Sequence, residues 1–232
     1  MCERGIVIAI DGPAGAGKST TARLVAKGLG YLYLDTGAMY RAVGLGALQA
    51  GLDPDDEAGV VGLMQKMQID MRSVGESQMT LLNGKDVSAK IRMPEVSDAA
   101  SRVATHIGVR KALVVRQREI GKDGGIVLEG RDTGTVIFPD AELKVFLVAD
   151  VEARAKRRML ELTAKGEMAD FQDLVVQIRE RDGRDRETQT QFGPWPPADA
   201  VPIDKTGQSI EAQVDQVITL ALNRGAQVGG SG

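Results

Sequence analysis

The sequence predicts an α/β fold in which a parallel sheet is flanked by helices and a small β-rich lobe is inserted. Three observations predict it. Short apolar runs alternate with helical stretches, a glycine-rich phosphate-binding motif follows the first run, and the middle of the chain has a hairpin pattern instead. With 232 residues and 43% hydrophobic content, the chain is long enough for one sizeable core.

The first apolar run, Ile6–Ile10, leads into GPAGAGKS at residues 12–19, which fills the pattern G-x-x-x-x-G-K-[ST]. The run is too short for a helix and suits a strand covered on both faces, whereas Ala22–Leu29 has helical spacing. This is the setting of a P-loop, whose backbone N–H groups hold polyphosphate at the positive end of a helix. Lys18 adds a charge for the outer phosphates, and Ser19 is placed to hold Mg2+. The expected ATP-binding residues are Gly12, Pro13, Ala14, Gly15, Ala16, Gly17, Lys18, Ser19 and Thr20.

Three further apolar runs are predicted to be buried strands, namely Tyr31–Leu34, Ile126–Leu128 and Val145–Val148. A last strand is expected at Val201–Ile203, before a helix at Ile210–Asn223. Helical stretches separate these runs, which favours a parallel sheet with right-handed crossovers.

Two other segments depart from this alternation. Gln68 to about Pro94 contains two short strand patterns and an Asn-Gly turn, so we interpret it as the inserted β-rich lobe. Asp170–Arg186 is predicted to be a charged helix that ends before the proline-rich GPWPPAD, as is typical of a mobile flap. One face of that helix is apolar: Phe171, Leu174, Val175 and Ile178. The final QVGGSG is expected to be disordered.

Composition excludes several classes of function. The chain has 29 basic and 32 acidic residues, a formal charge of -3, so it lacks the global electrostatic footprint of a nucleic-acid binder. RAKRR at Arg154–Arg158 has no flanking aromatic residues to support such a patch. Cys2 and His106 are the only cysteine and histidine, which removes internal disulfides, zinc sites and histidine-based triads. No apolar run reaches the length of a membrane span, and a soluble cytoplasmic protein is expected.

The P-loop alone leaves the kind of phosphate chemistry open. A switch GTPase would show N-K-x-D, but NGKD at Asn83–Asp86 has glycine and lysine in the wrong order. A mechanical ATPase would usually show a strand that ends in an acidic pair. The strand Ile126–Leu128 runs instead into Glu129, Gly130, Arg131 and Asp132, and an arginine there suggests a second anion nearby. Arginines in 179–186 fit either a kinase site or ordinary i,i+4 pairs of a solvated helix, Arg181 with Asp185 and Asp182 with Arg186.

Four stretches carry a resemblance to a known family: IDGPAGAGKST at 10–20, LDTGAMYRAV at 34–43, LNGKDVSAKIRMPEVSDAASRVA at 82–104 and LEGRDTGTVIFPDAELKVFLVAD at 128–150. With them the chain resembles the bacterial cytidylate kinases, P-loop nucleoside monophosphate kinases, from about residue 6 to about residue 223. The last two stretches are more specific than the P-loop, because other P-loop kinases lack them. The resemblance implies a single P-loop NTPase-type domain at 1–224, with a monophosphate-binding lobe at about 36–104, a lid at about 154–188 and a disordered tail at 225–232.

The resemblance also implies an activity, the transfer of the γ-phosphoryl group of ATP to CMP or dCMP with Mg2+ as cofactor. It implies a cytoplasmic monomer of pyrimidine nucleotide metabolism without nucleic-acid or membrane partners. Arg41 and Arg131 are expected at the acceptor phosphate, and Ser101, Arg110, Asp132 and Thr36 at or near the cytosine. Arg181 and Asp185 are expected at the ribose, and Lys18, Arg157, Arg158 and Arg184 at the transferring phosphates.

Base chemistry supports one of these roles independently, because a carboxylate such as Asp132 accepts from cytosine N4 and repels uracil O4. Other interpretations stay open: an Arg131–Asp132 ion pair at the strand end, a helix cap at Thr36, or a surface serine at Ser101. Thr188 stands where many relatives have an arginine that touches the acceptor sugar, so a weaker preference for CMP over dCMP is also open. A kinase for UMP or shikimate, or a P-loop switch that only binds nucleotide, remains the alternative function.

Overall fold

The computed structural model describes residues 5–74, 77–164, 166–191, 193–204 and 208–228, and these contain eight strands and eight α-helices. The strands are β1 Val7–Asp11, β2 Leu32–Asp35, β3 Ile69–Val74, β4 Ser77–Leu82, β5 Lys85–Asp86, β6 Ile126–Gly130, β7 Leu143–Val148 and β8 Val201–Asp204. The helices are α1 Lys18–Leu29, α2 Thr36–Gln49, α3 Glu57–Met64, α4 Pro94–Val103, α5 Ile107–Gly121, α6 Val151–Ala164, α7 Phe171–Thr190 and α8 Ile210–Leu222. Cys2 lies outside the described residues.

The main sheet has the order β2-β6-β1-β7-β8, and every neighbouring pair is parallel, which confirms the predicted α/β class. In this register Asp11 lies beside Gly130, and Asp35 lies beside Glu129. The carboxyl ends of β1, β2 and β6 therefore meet at one edge of the sheet, where ligands bind in open α/β folds.

Helices cover both faces of the sheet and give each face its own apolar core. On one face, Met39 of α2 and Leu113 of α5 are buried against β6. On the other, Val25 of α1 and Val217 of α8 are buried against β1 and β7. Strands buried on both faces explain why β1 and β6 are continuous apolar runs in the sequence.

The inserted lobe is a separate antiparallel sheet, β3-β4-β5. The predicted Asn-Gly turn is present, since Asn83 and Gly84 both have positive φ, 50° and 77°. Two consecutive positive φ values are characteristic of the tight turns that join antiparallel strands. The residues between β3 and β4, Gly75 and Glu76, lie outside the described residues.

Helices α6 and α7 form a hairpin with its own small core. Leu174 and Val175, from the predicted apolar face, are buried with Ala155 and Leu162 of α6. Helix α7 continues to Thr190, four residues past its predicted end at Arg186, because no proline interrupts it in that interval. The extension carries residues 187–190 toward the carboxyl edge of the main sheet.

The end of the chain differs in part from the predicted disordered tail. Ala226 is buried against the α1 side of the sheet, and the Gln227 backbone N–H donates to Tyr31 Oη at 3.2 Å. Residues 229–232 of that tail lie outside the described residues. Among the helices of the described residues, none has the length and apolarity needed to cross a membrane.

Candidate active site

A polar cleft of about 510 Å3 lies at the carboxyl edge of the main sheet, between the P-loop, helices α2 and α4, and α7. It brings together most of the residues that the sequence singles out. The predicted residues that line it are Ala14, Gly15, Lys18, Ser19, Thr36, Arg41, Ser101, Arg110, Arg131, Asp132, Arg181, Arg184 and Asp185. Residues predicted from distant parts of the chain thus share one cavity.

The P-loop begins at a glycine that no other residue can replace without strain. Gly12 has φ 150°, and a Cβ added there would lie 2.5 Å from the backbone oxygen of Leu147 on β7. Gly17 has φ 88° and precedes α1 without a side-chain cap. The first N–H groups of α1 are therefore left for a ligand, as in other phosphate sites at helix N-termini.

Lys18 is folded back over the loop. Its Nζ donates to the Pro13 carbonyl oxygen at 2.8 Å, and the side chain is buried. Burial, with the nearby Arg131 charge, lowers the pKa of Lys18 to about 7. The negative charge of a phosphate bound at the loop would favour the protonated amine and raise that pKa again.

The next residue along α1 has an acidic partner that the sequence reasoning did not select. Ser19 Oγ donates to Glu129 Oε1 at 2.5 Å, and Tyr33 Oη donates to the same oxygen at 3.2 Å. Burial, followed by the charge of Asp35, raises the pKa of Glu129. The sequence could have indicated Glu129, because it lies at the carboxyl end of a strand next to the P-loop strand.

Thr36 does not cap α2 as one interpretation held. The cap is Asp35, whose backbone is extended (φ -82°, ψ 97°) and whose carboxylate accepts from the Ala38 N–H at 2.9 Å. Thr36 is already helical, and its Oγ1 donates to the Glu129 carbonyl oxygen at 2.8 Å. Asp35 also holds Arg41, with Oδ2 2.6 Å from Nη2. The pair therefore aims a cation into the cleft from the first turns of α2.

A buried acid that sequence reasoning missed also fixes the turn after β6. Asp11, at the end of β1, accepts from the Thr133 N–H and hydroxyl at 3.0 and 2.9 Å, and from the Gly134 N–H at 2.9 Å. Burial raises the pKa of Asp11 to about 6, although these hydrogen bonds oppose the shift. The anchored turn holds Arg131 and Asp132 at the edge of the sheet.

Arg131 and Asp132 do not pair with each other. Arg131 Nε donates to Asp185 Oδ2 on α7 at 2.7 Å, whereas Asp132 Oδ2 accepts from Arg110 Nη2 on α5. Both side chains of the Arg110–Asp132 pair are only 5% exposed. Burial raises the pKa of Asp132, and the Arg110 charge opposes that shift. The buried carboxylate and guanidinium of this pair both line the cleft.

In a comparison with known protein families, the family model described as cytidylate kinase matches residues 8–223. The chain belongs to the cytidylate kinase family. Cytidylate kinase from Citrifermentans bemidjiense is 46% identical over 226 residues, which are 97% of this chain and 96% of the relative. Cytidylate kinase from Geobacillus sp. strain WCH70 is 47% identical over 220 residues, with 94% and 97% covered. The resemblance found in the sequence is confirmed.

Among solved structures, a shikimate kinase from Acinetobacter baumannii in complex with shikimate is similar over 97% of each chain, with 16% identity and a TM-score of 0.47. A similarity of that size says nothing about the acceptor. Membership of the cytidylate kinase family makes the chain an ATP-dependent phosphotransferase.

The three arginines of α6, of which Arg157 and Arg158 were expected at the transferring phosphates, are placed differently from one another. Arg154 donates to Asp182 of α7 at 2.5 and 3.0 Å and to the Ala14 carbonyl oxygen of the P-loop at 3.0 Å. Arg157 Nη2 lies 3.5 Å from the point that a Cβ on Gly15 would occupy, so its charge is next to the P-loop. Arg158 is exposed and pairs with Glu161 at 3.3 Å, away from the residues that line the cleft.

The two i,i+4 pairs considered for α7 are replaced by contacts with other elements. Asp182 binds Arg154 rather than Arg186, and Asp185 binds Arg131 rather than Arg181. Arg181 and Arg184 line the cleft, as do Thr188 and Ser101, so Ser101 is not a serine of the outer surface. The inner face of α7 is therefore a wall of the cleft.

Proposed function

We propose that the protein transfers the γ-phosphoryl group of ATP to CMP or dCMP, giving CDP or dCDP and ADP in pyrimidine nucleotide metabolism. One observation carries the proposal: the buried Arg110–Asp132 pair opens into the same cleft as Lys18 and Ser19 of the P-loop. Residues suited to recognise a base and residues suited to bind polyphosphate thus line one cavity. We also propose that the enzyme acts as a cytoplasmic monomer, without nucleic-acid partners.

The pair gives the site its preference among pyrimidines. The Asp132 carboxylate accepts from the exocyclic N4 of cytosine, where uracil carries an oxygen that the carboxylate repels. Arg110 donates to the acceptor edge of the base. Ser101 on α4 and Thr36 on α2 line the same cleft and complete the base site.

The acceptor phosphate binds between Arg41 and Arg131. Each guanidinium is held by a carboxylate, Asp35 or Asp185 respectively. Such pairs keep the arginines in position while a phosphate takes up their remaining donors. The acceptor is already an anionic nucleophile and needs no general base, so catalysis consists of alignment and charge neutralisation. Arg181 and Asp185 flank the ribose.

The donor site fits Mg2+. The Ser19 hydroxyl and the Glu129 carboxylate supply oxygens next to the P-loop, and Mg2+ is usually held by one or two such groups together with substrate phosphates. The ion, when bound, neutralises charge on the β- and γ-phosphates. Lys18 shares that task, since its pKa of about 7 allows it to gain a proton as phosphate arrives.

The lid completes the site. Arg157 and Arg184 approach the transferring phosphates from α6 and α7, and Arg154 ties the lid to the P-loop through the Ala14 carbonyl oxygen. Closure excludes water, which would otherwise accept the phosphoryl group. Arg158 joins the site only if the lid rotates from the arrangement described above, because it now pairs with Glu161.

An acceptor screen tests the proposal. ADP formation from Mg-ATP is measured with CMP, dCMP, UMP, AMP and shikimate as acceptors. We expect ADP formation to rise with CMP and dCMP far above the other three. A rate that no acceptor raises would indicate a nucleotide-binding switch, and a rate raised most by UMP or shikimate would assign a different acceptor.

A further inference from the structure

Helix α7 carries a polar stripe made of residues three and four positions apart, Asp182, Asp185 and Gln189, and the last two line the cleft. Residues at this spacing lie on one face of a helix. Each of the three accepts a hydrogen bond from an arginine of a different element. The pairs are Asp182 with Arg154, Asp185 with Arg131 and Gln189 with Arg110. The last pair connects α7 directly to Arg110, the arginine proposed to recognise the base.

Gln189 is buried, with 7% of its surface exposed, and it lines the cleft. Its Oε1 accepts from Arg110 Nη2 at 3.1 Å. The same Nη2 also donates to Asp132, and Nη1 donates to the Ala104 carbonyl oxygen at 3.1 Å. Both hydrogens of Nη2 are thereby used, and three acceptors from three directions fix the plane of the guanidinium.

We propose that Gln189 is a positioning residue for base recognition. The choice of cytosine over uracil then depends on the contact between the C-terminal turn of α7 and Arg110. This inference rests on the proposed function. The amide oxygen occupies the Nη2 hydrogen that Asp132 does not use. Without it, that hydrogen is available to uracil O4, and the difference between the two bases shrinks.

The length of α7 makes this contact possible. Gln189 lies beyond the predicted end of the helix at Arg186, and the extra turn brings it level with Arg110 on α5. Its neighbour Thr188 also lines the cleft. This last turn of α7 therefore places the neutral amide of Gln189 in the cleft, where it holds Arg110.

The test uses two replacements of the same residue. Gln189→Met keeps the size of the side chain and removes the acceptor, whereas Gln189→Glu keeps an acceptor for Arg110. Gln177→Met is the matched control, because Gln177 is an exposed glutamine on the same helix. For each variant, kcat and KM are measured with CMP and with UMP, together with the KM for ATP. The ratio of kcat/KM values cancels any effect common to both acceptors, including the charge that glutamate adds.

We expect Gln189→Met to lower the CMP-to-UMP ratio about tenfold, the size of one hydrogen bond to a charged group. The change should lie in the KM values of the acceptors, with kcat for CMP and the KM for ATP nearly unchanged. Gln189→Glu should retain the wild-type ratio, and so should Gln177→Met. A folded Gln189→Met enzyme with the wild-type ratio overturns the inference. So does an equal fall in kcat/KM for CMP and for UMP in both Gln189 variants, because the contact would then have only a structural role.

A second measurement tests the dependence on the lid. A non-hydrolysable ATP analogue should increase CMP affinity in the wild type, because nucleotide at the P-loop holds the lid through Arg154, and Gln189→Met should reduce that increase. An equal increase in both proteins overturns the coupling. A wild-type enzyme without any preference for CMP overturns the proposed function itself, whereas a preference that survives Gln189→Met overturns only the role of Gln189.

Discussion

Replacement of Asp132 by asparagine tests base recognition at its centre. Asparagine keeps the shape and one acceptor oxygen of the carboxylate, but its NH2 group can rotate and donate to uracil O4. One good base contact is worth about 1 to 3 kcal/mol, so the preference for CMP over UMP should fall by a factor of about 5 to 150. ATP binding at the P-loop should hardly change.

The same change should also cost stability, because Asp132 and Arg110 are both 5% exposed. Complete loss of a partner from a buried ion pair costs about 3 to 5 kcal/mol. Asparagine leaves an acceptor in place, and the Gln189 and Ala104 oxygens still accept from Arg110, so we expect a loss of about 1 to 3 kcal/mol. Urea unfolding measures it, and the kinetics are then run well below the unfolding temperature.

The assay compares kcat/KM for CMP and UMP in wild type, Asp132→Asn and Asp70→Asn. Asp70 is a suitable control because it also pairs with an arginine, Arg116, but lies on β3 and does not line the cleft. Only Asp132→Asn should change the ratio. If both activities fall together and the ratio stays constant, Asp132 is a structural residue and cytosine is read elsewhere.

Three further predictions concern the P-loop and the lid. Lys18→Ala should lower turnover about a hundredfold or more in a folded protein, because the charge follows the moving phosphoryl group; near-normal turnover would place the donor elsewhere. Burial lowers the pKa of Lys18 to about 7, and bound phosphate raises that pKa; calorimetry at pH 8 in two buffers should therefore show more proton uptake on ATP binding in wild type than in Lys18→Ala, and equal uptake would contradict the shift. Hydrogen exchange over residues 154–186 should slow when a bisubstrate analogue closes the lid; unchanged exchange would contradict closure.

Local patterns were sufficient for the sheet and the P-loop. The strand β1 and the glycines after it are determined by neighbouring residues, and the turn at Asn83 and Gly84 by residue types that tolerate positive φ. The apolar face of α7 was also predicted, because helical spacing alone reveals it. These features do not depend on which elements become neighbours in space.

The polar partners could not be predicted in the same way. Arg131 lies next to Asp132 in the chain, yet it pairs with Asp185 fifty-four positions away, because α7 packs across the end of β6. The contact between Gln189 and Arg110 likewise depends on the packing of α7 against α5. Glu129 was visible at the end of its strand, but its contact with Ser19 required the parallel pairing of β6 with β1. Long-range packing, which spacing does not encode, determined each of these.

The central claim is that the phosphate held at the P-loop goes to a cytosine nucleotide, and isotope transfer tests it most directly. The enzyme is incubated with γ-32P-ATP, Mg2+ and an equimolar mixture of CMP and UMP, and the labelled products are separated. We predict that the label appears in the β-phosphate of CDP well ahead of UDP, with little inorganic phosphate. Label found chiefly in inorganic phosphate, or equally in CDP and UDP, would contradict the account.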